Sequence, residues 1–86
     1  MPPVARVTDA GTHGGTLVTG SPTGSADGLP IARVGDLYDC PIHGANPIIG
    51  GSPVYSRDGR AVARVGDPTE CGAVIATGSP THSDNS

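Results

Sequence analysis

One stretch of this chain occurs three times. Ala5-Arg6-Val7-Thr8-Asp9 returns as Ala32-Arg33-Val34-Gly35-Asp36, then as Ala63-Arg64-Val65-Gly66-Asp67. A second marker follows each copy: Gly20-Ser21-Pro22-Thr23, Gly51-Ser52-Pro53-Val54 and Gly78-Ser79-Pro80-Thr81. From the marker alanine to this glycine the spacing is 15, 19 and 15 residues, so the middle copy carries four extra residues. A unit this short cannot bury an apolar face alone. Repeats of such length stack or arrange themselves radially around a shared core.

Each unit reads as β-structure. Thr16-Leu17-Val18-Thr19, Pro47-Ile48-Ile49-Gly50 and Val74-Ile75-Ala76-Thr77 are short apolar runs ahead of the Gly-Ser-Pro marker. Asp27-Gly28 and Asp58-Gly59 are tight-turn pairs, because glycine accepts a positive φ without steric cost. The matching place in the third copy is Asn85, close to the end of the sequence, so the third unit lacks its return strand. Pro2-Pro3-Val4-Ala5-Arg6 matches Leu29-Pro30-Ile31-Ala32-Arg33, which predicts that the N-terminal strand completes the third unit and removes an exposed edge. No helix-period segment is present. The expectation is an all-β single domain over 1–86, with repeats at about 2–28, 29–59 and 60–81 and a polar tail at 82–86.

The core such a chain can build is thin. Its large aliphatic side chains are 8 Val, 5 Ile and 3 Leu, with no Phe or Trp. Ordering a residue costs roughly 1.5 kcal/mol of conformational entropy, so a metal, a crosslink or a partner is expected to help. The net charge is −3 and the five basic residues are all arginines, which argues against nucleic-acid binding. No apolar stretch approaches a membrane span, and Met1-Pro2-Pro3-Val4 does not read as an export signal. The two cysteines are therefore expected in a reducing cytosol, where thiols more often bind metal than form disulfides.

The repeat phase picks out the ligands. Eight residues beyond the marker alanines Ala5, Ala32 and Ala63 stand His13, Cys40 and Cys71. Around a pseudo-threefold axis the three would converge. The extra residues of the middle copy place His43 just after Cys40, and one turn of the form Cys-x-x-His can supply two ligands. Zn²⁺ in closed structural sites takes four N/S donors in a tetrahedron. Glycine follows His13, His43 and Cys71, where a tight backbone would aim side chains inward. His82 in the tail competes for the fourth position, and a Cys40–Cys71 disulfide is the other reading. Iron remains open beside zinc, since both take Cys and His. The arginines Arg6, Arg33 and Arg64 recur with Asp9, Asp36 and Asp67 three residues on, which reads as an internal brace. Catalysis has little support: Glu70 is the one acid that could serve as base in a zinc hydrolase, and four closed ligands leave no position for water.

These residues resemble the PAAR-repeat family, named for Pro-Ala-Ala-Arg. The copies here are Pro3-Val4-Ala5-Arg6, Pro30-Ile31-Ala32-Arg33 and Ala61-Val62-Ala63-Arg64, in phase with the ligands over about 2–81. The resemblance implies a cone of short strands with zinc near its apex. The base of that cone would sit on a trimeric β-helical spike, the VgrG-type protein of type VI secretion or its phage-tail equivalent, one copy per trimer. It implies a monomer whose role is mechanical, sharpening the spike and aiding membrane puncture and effector delivery. Assembly would be cytoplasmic, followed by residence on the ejected tip with membrane contact only during puncture. Three histidines with one cysteine is a common ligand set in this family, whereas this chain offers two of each at the phased positions. The alternative is a free-standing zinc adaptor for an effector or chaperone.

Overall fold

The computed structural model describes residues 2–83, and every regular element among them is a β-strand. There are seven: β1 Thr16–Leu17, β2 Ser25–Ala26, β3 Leu29–Pro30, β4 Leu37–Cys40, β5 Gly44–Pro47, β6 Ser56–Arg57 and β7 Arg60–Ala61. The all-β expectation therefore holds, in a body of 31 × 23 × 22 Å. Most apolar runs of the sequence pair through one or two residues instead of forming long strands. Tight spacing of Gly and Pro leaves no room for more.

The short segments nonetheless close a circuit. Within the repeats, Ala10 pairs with Thr16, β4 with β5, and Pro68 with Val74. Between repeats, β1 pairs with β4, Ile48 with Thr69, and Ile75 with Gly11. The last pairing returns the third repeat to the first, so the pairings among the described residues close a ring.

On the axis stand the three marker alanines. The N–H of Ala5 donates to the carbonyl of Ala63 (2.9 Å), Ala32 to Ala5 (3.0 Å) and Ala63 to Ala32 (2.9 Å), a closed triangle of backbone hydrogen bonds. All three side chains are fully buried. Leu17, Ile48 and Ile75 form the next layer, each also buried and each from an equivalent place in its repeat. Tyr38 breaks the symmetry. Its ring occupies the space a Cβ on Gly11 would need, only 2.5 Å away, and its hydroxyl accepts from the N–H of Gly15 at 2.9 Å.

The Asp-Gly turns form as expected. Asp27 and Gly28 have φ of 55° and 79°, and Asp58 and Gly59 of 56° and 77°, the type I′ geometry of two-residue hairpins. In the third unit the N-terminal strand takes the place of the missing return strand. Val4 donates to the carbonyl of His82 (3.0 Å) and accepts from Ser79 (2.8 Å), as Ile31 does with Gly24 (3.1 Å) and Ser21 (2.8 Å). Asn85, assigned to the third turn from sequence, lies outside the described residues.

Polar side chains repeat with the backbone. Each arginine of the Ala-Arg motif forks onto the aspartate three residues on: Arg33 reaches Asp36 at 2.8 and 3.1 Å, and Arg6 and Arg64 do the same with Asp9 and Asp67. The brace reading is correct. The serine of each Gly-Ser-Pro marker accepts the next two N–H groups and so holds its own turn. Two of these serines also lock repeats together. Ser79 and Thr81 donate to Asp27, and Ser21 and Thr23 donate to Asp58.

Those hydroxyl bonds hold the Asp27 carboxyl below its ordinary value of 3.8. A depressed folded pKa adds stability that is complete above the unfolded value and is lost as pH falls through the folded one. Asp27→Asn is therefore expected to lower the melting temperature at pH 7. The gap to the wild type should close as the pH is taken below 3.8, the ordinary carboxylate value. A gap independent of pH would contradict the assignment.

One position carries strain. Gly35 and Gly66 have φ of 92° and 96°, and their counterpart in the first repeat is Thr8 at 82°. A β-branched residue there costs about 1–3 kcal/mol. Thr8 is exposed. Thr8→Gly is expected to raise stability by about 1 kcal/mol and the melting temperature by roughly 4–8 °C. A calorimetric scan showing no rise would refute the strain.

Candidate metal centre

The ligand layer follows from the same phase that built the core. His13 lies in the turn joining Ala10 to Thr16, Cys40 ends β4, and Cys71 lies in the turn joining Pro68 to Val74. Gly14 and Gly72 come next, with φ of 90° and 91°. That left-handed bend is nearly free for glycine, and it turns each hairpin back over the axis. The ring then delivers the side chains to one point. His13 Nδ1 lies 3.6 Å from Cys40 Sγ and 3.7 Å from Cys71 Sγ. The three ligand atoms all fall within 4.8 Å of one another.

These spacings fit a metal. Bonds of about 2.3 Å to sulfur and about 2.0 Å to nitrogen at tetrahedral angles place N and S roughly 3.5 Å apart. Cys40 is buried, while His13 and Cys71 are half-buried. Both cysteines are free thiols, not a disulfide. Burial pushes the Cys71 thiol up, but hydrogen bonds from Thr69, the Ala73 N–H, His13 and Cys40 outweigh it and hold the thiol at about 6. The thiolate is the form that binds metal.

His43 is placed differently. It sits in the turn that links β4 to β5, exposed, with its ring centroid 5.7 Å from that of His13 and the planes tilted by 46°. It stands beside the three converging ligands and is not one of them in this arrangement. His82 belongs elsewhere: its Nδ1 lies 2.9 Å from the Thr81 hydroxyl and 3.4 Å from that of Ser79. Glu70 is exposed.

Two supporting residues escaped the sequence reading. Asn46 is buried, accepts the Cys71 N–H at 3.1 Å and donates to the Gly44 carbonyl at 3.0 Å, so it ties the third repeat to the turn that carries His43. Thr69, also buried, sets its hydroxyl 3.3 Å from Cys71 Sγ. Neither offered a signal in the sequence, because neither recurs at the equivalent place in the other repeats. Such partners orient ligands and tune them. Asn46→Ala is expected to weaken metal binding by 10–100-fold, about the usual effect for a partner of this kind. A competition titration against a chromophoric chelator would measure it, and unchanged affinity would remove Asn46 from the site.

No curated protein matches the chain. The family model described as the PAAR motif matches residues 7–77, which contain all three ligand turns and the second and third marker alanines. With this match over most of its length, the chain belongs to the PAAR-motif family.

Proposed function

We propose that the chain is a zinc-stabilised spike tip, with His13, Cys40, His43 and Cys71 as the four ligands of one structural ion. Exposed His43 stands beside the group that the other three form, its ring centroid 5.7 Å from that of His13, which supports it as the fourth ligand. The observation that carries the reading is the closed triangle of Ala5, Ala32 and Ala63. One chain sets three similar repeats around an axis, which lets a monomer match a threefold partner. The PAAR-motif match supports that partner being a VgrG-type spike of a contractile injection system. The chain acts mechanically. It caps and sharpens the spike for puncture and effector delivery, with zinc replacing the core that a pointed end lacks room to build. Cytoplasmic assembly and delivery on the ejected tip follow from this reading. Iron would satisfy the same donors.

Reconstitution with the cognate spike tests it. One chain per spike trimer, lost when the metal is removed, is the expected complex. A chain that ignores the spike and binds an effector or chaperone alone would favour the adaptor reading. Hydrolysis abolished by Glu70→Gln alone would point to a zinc hydrolase. No helix among the described residues is long and apolar enough to cross a membrane.

A further inference from the structure

The five arginines fall into two groups. Arg6, Arg33 and Arg64 occupy equivalent places, each forked onto its aspartate. Arg57 and Arg60 have no such counterpart. They are direct cross-strand partners in the β6–β7 hairpin, where the β2–β3 hairpin pairs Ala26 with Leu29. Like charges directly opposite each other weaken an antiparallel pair.

Little within the molecule offsets them. Arg57 forms no ion pair with a described residue, and its Nε is covered from solvent with no hydrogen-bond partner among them. Its stem lies across Gly24 of the neighbouring repeat, where a Cβ would come within 2.6 Å of Nε. Arg60 has a half-exposed side chain and, among the described residues, pairs only with Asp36, at 3.7 Å, a carboxylate already forked by Arg33. Asp58 in the same hairpin is taken by Ser21, Thr23 and Arg33. Three residues before Arg57, Val54 is 73% exposed, where the other repeats carry Thr23 and Thr81.

Symmetry narrows the partner. A threefold spike offers one surface to all three repeats. A carboxylate set for Arg57 and Arg60 would meet Ala26 and Leu29 on the next repeat and lose its partner there. Charge confined to one repeat fits a partner that binds that repeat alone.

We propose that the β6–β7 hairpin, with Val54, is a docking site for a single acidic polypeptide segment. Arg57 and Arg60 hold its clustered carboxylates, and an apolar side chain of the segment packs on Val54. Guanidinium groups suit this because they grip carboxylates in a planar, two-point fashion. This docking does not depend on whether the chain caps a spike, since its test needs only the chain itself.

The test is a ¹H–¹⁵N NMR titration of the metal-loaded chain with a short peptide carrying adjacent glutamates beside a leucine. The comparison probes are the same peptide with glutamines, inorganic phosphate, and phosphatidylglycerol vesicles. The expected result is shifts confined to Val54 and β6–β7 with the glutamate peptide, fading as salt rises. Binding should weaken at least tenfold when the hairpin is given the residues of its counterpart, Arg57→Ala with Arg60→Leu. Arg60→Leu alone leaves the Arg57 stem on Gly24 and serves if the double variant folds poorly. No shift at these residues, equal binding by the variants, equal shifts with the glutamine peptide, or binding of phosphate or vesicles in preference to the peptide would each overturn the proposal.

Discussion

Leucine in place of Ala63 is expected to destabilise the chain by about 3 kcal/mol or more, the upper end for overpacked cores and a large share of the usual net stability of a small domain. Each marker alanine is fully buried on the axis, and its N–H and carbonyl both belong to the triangle that joins the repeats. A larger side chain has no direction in which to escape without opening that triangle. Ala5→Leu and Ala32→Leu should cost about the same, because the three places are equivalent. Ala45→Leu, on an exposed face of β5, should stay within about 0.5 kcal/mol of the wild type. Urea unfolding of the four variants decides the matter. A tolerated leucine at any axial alanine would mean that the triangle is not where the fold is held.

Removing the metal is expected to have a larger effect still. Structural zinc contributes on the order of 10–16 kcal/mol to the folding of small domains, against a usual net stability of about 5–15 kcal/mol. With only a thin aliphatic core and strands of two to four residues, the apo chain should not stay folded. A strong chelator should abolish the β-sheet circular dichroism signal and the dispersion of the amide spectrum, and added zinc should restore both. Cys40→Ala, Cys71→Ala and His13→Ala should behave as the chelated wild type, while His82→Ala should be indistinguishable from the untreated protein. His43→Ala separates two arrangements. Loss of folding would make His43 the fourth ligand, and retained folding with weaker metal binding would place it beside a three-residue site.

Much of this was legible because the chain repeats. Phase alone brought His13, Cys40 and Cys71 to one point, while the place of the three marker alanines on the axis emerged only in the structure. The Asp-Gly pairs announced their hairpins because φ near +55° at Asp27 and Asp58 is the geometry that turn demands. What resisted reading lies where the repeats differ. Tyr38 fills the room left by Gly11, an exchange of volume across the axis that no single repeat reveals. Asn46 and Thr69 hold Cys71 through contacts particular to the third repeat and its neighbour. The ring also closes through isolated bridges such as Gly11 with Ile75, too short for any alternation of apolar and polar residues to mark them.

The proposed function rests on one ion held by side chains from all three repeats, at the group that His13, Cys40 and Cys71 form. X-ray absorption at the zinc edge, with metal content measured on the same sample, tests it most directly. The expected result is one zinc per chain with two sulfur and two nitrogen neighbours. A folded chain free of metal, or a zinc surrounded by oxygen alone, would contradict it.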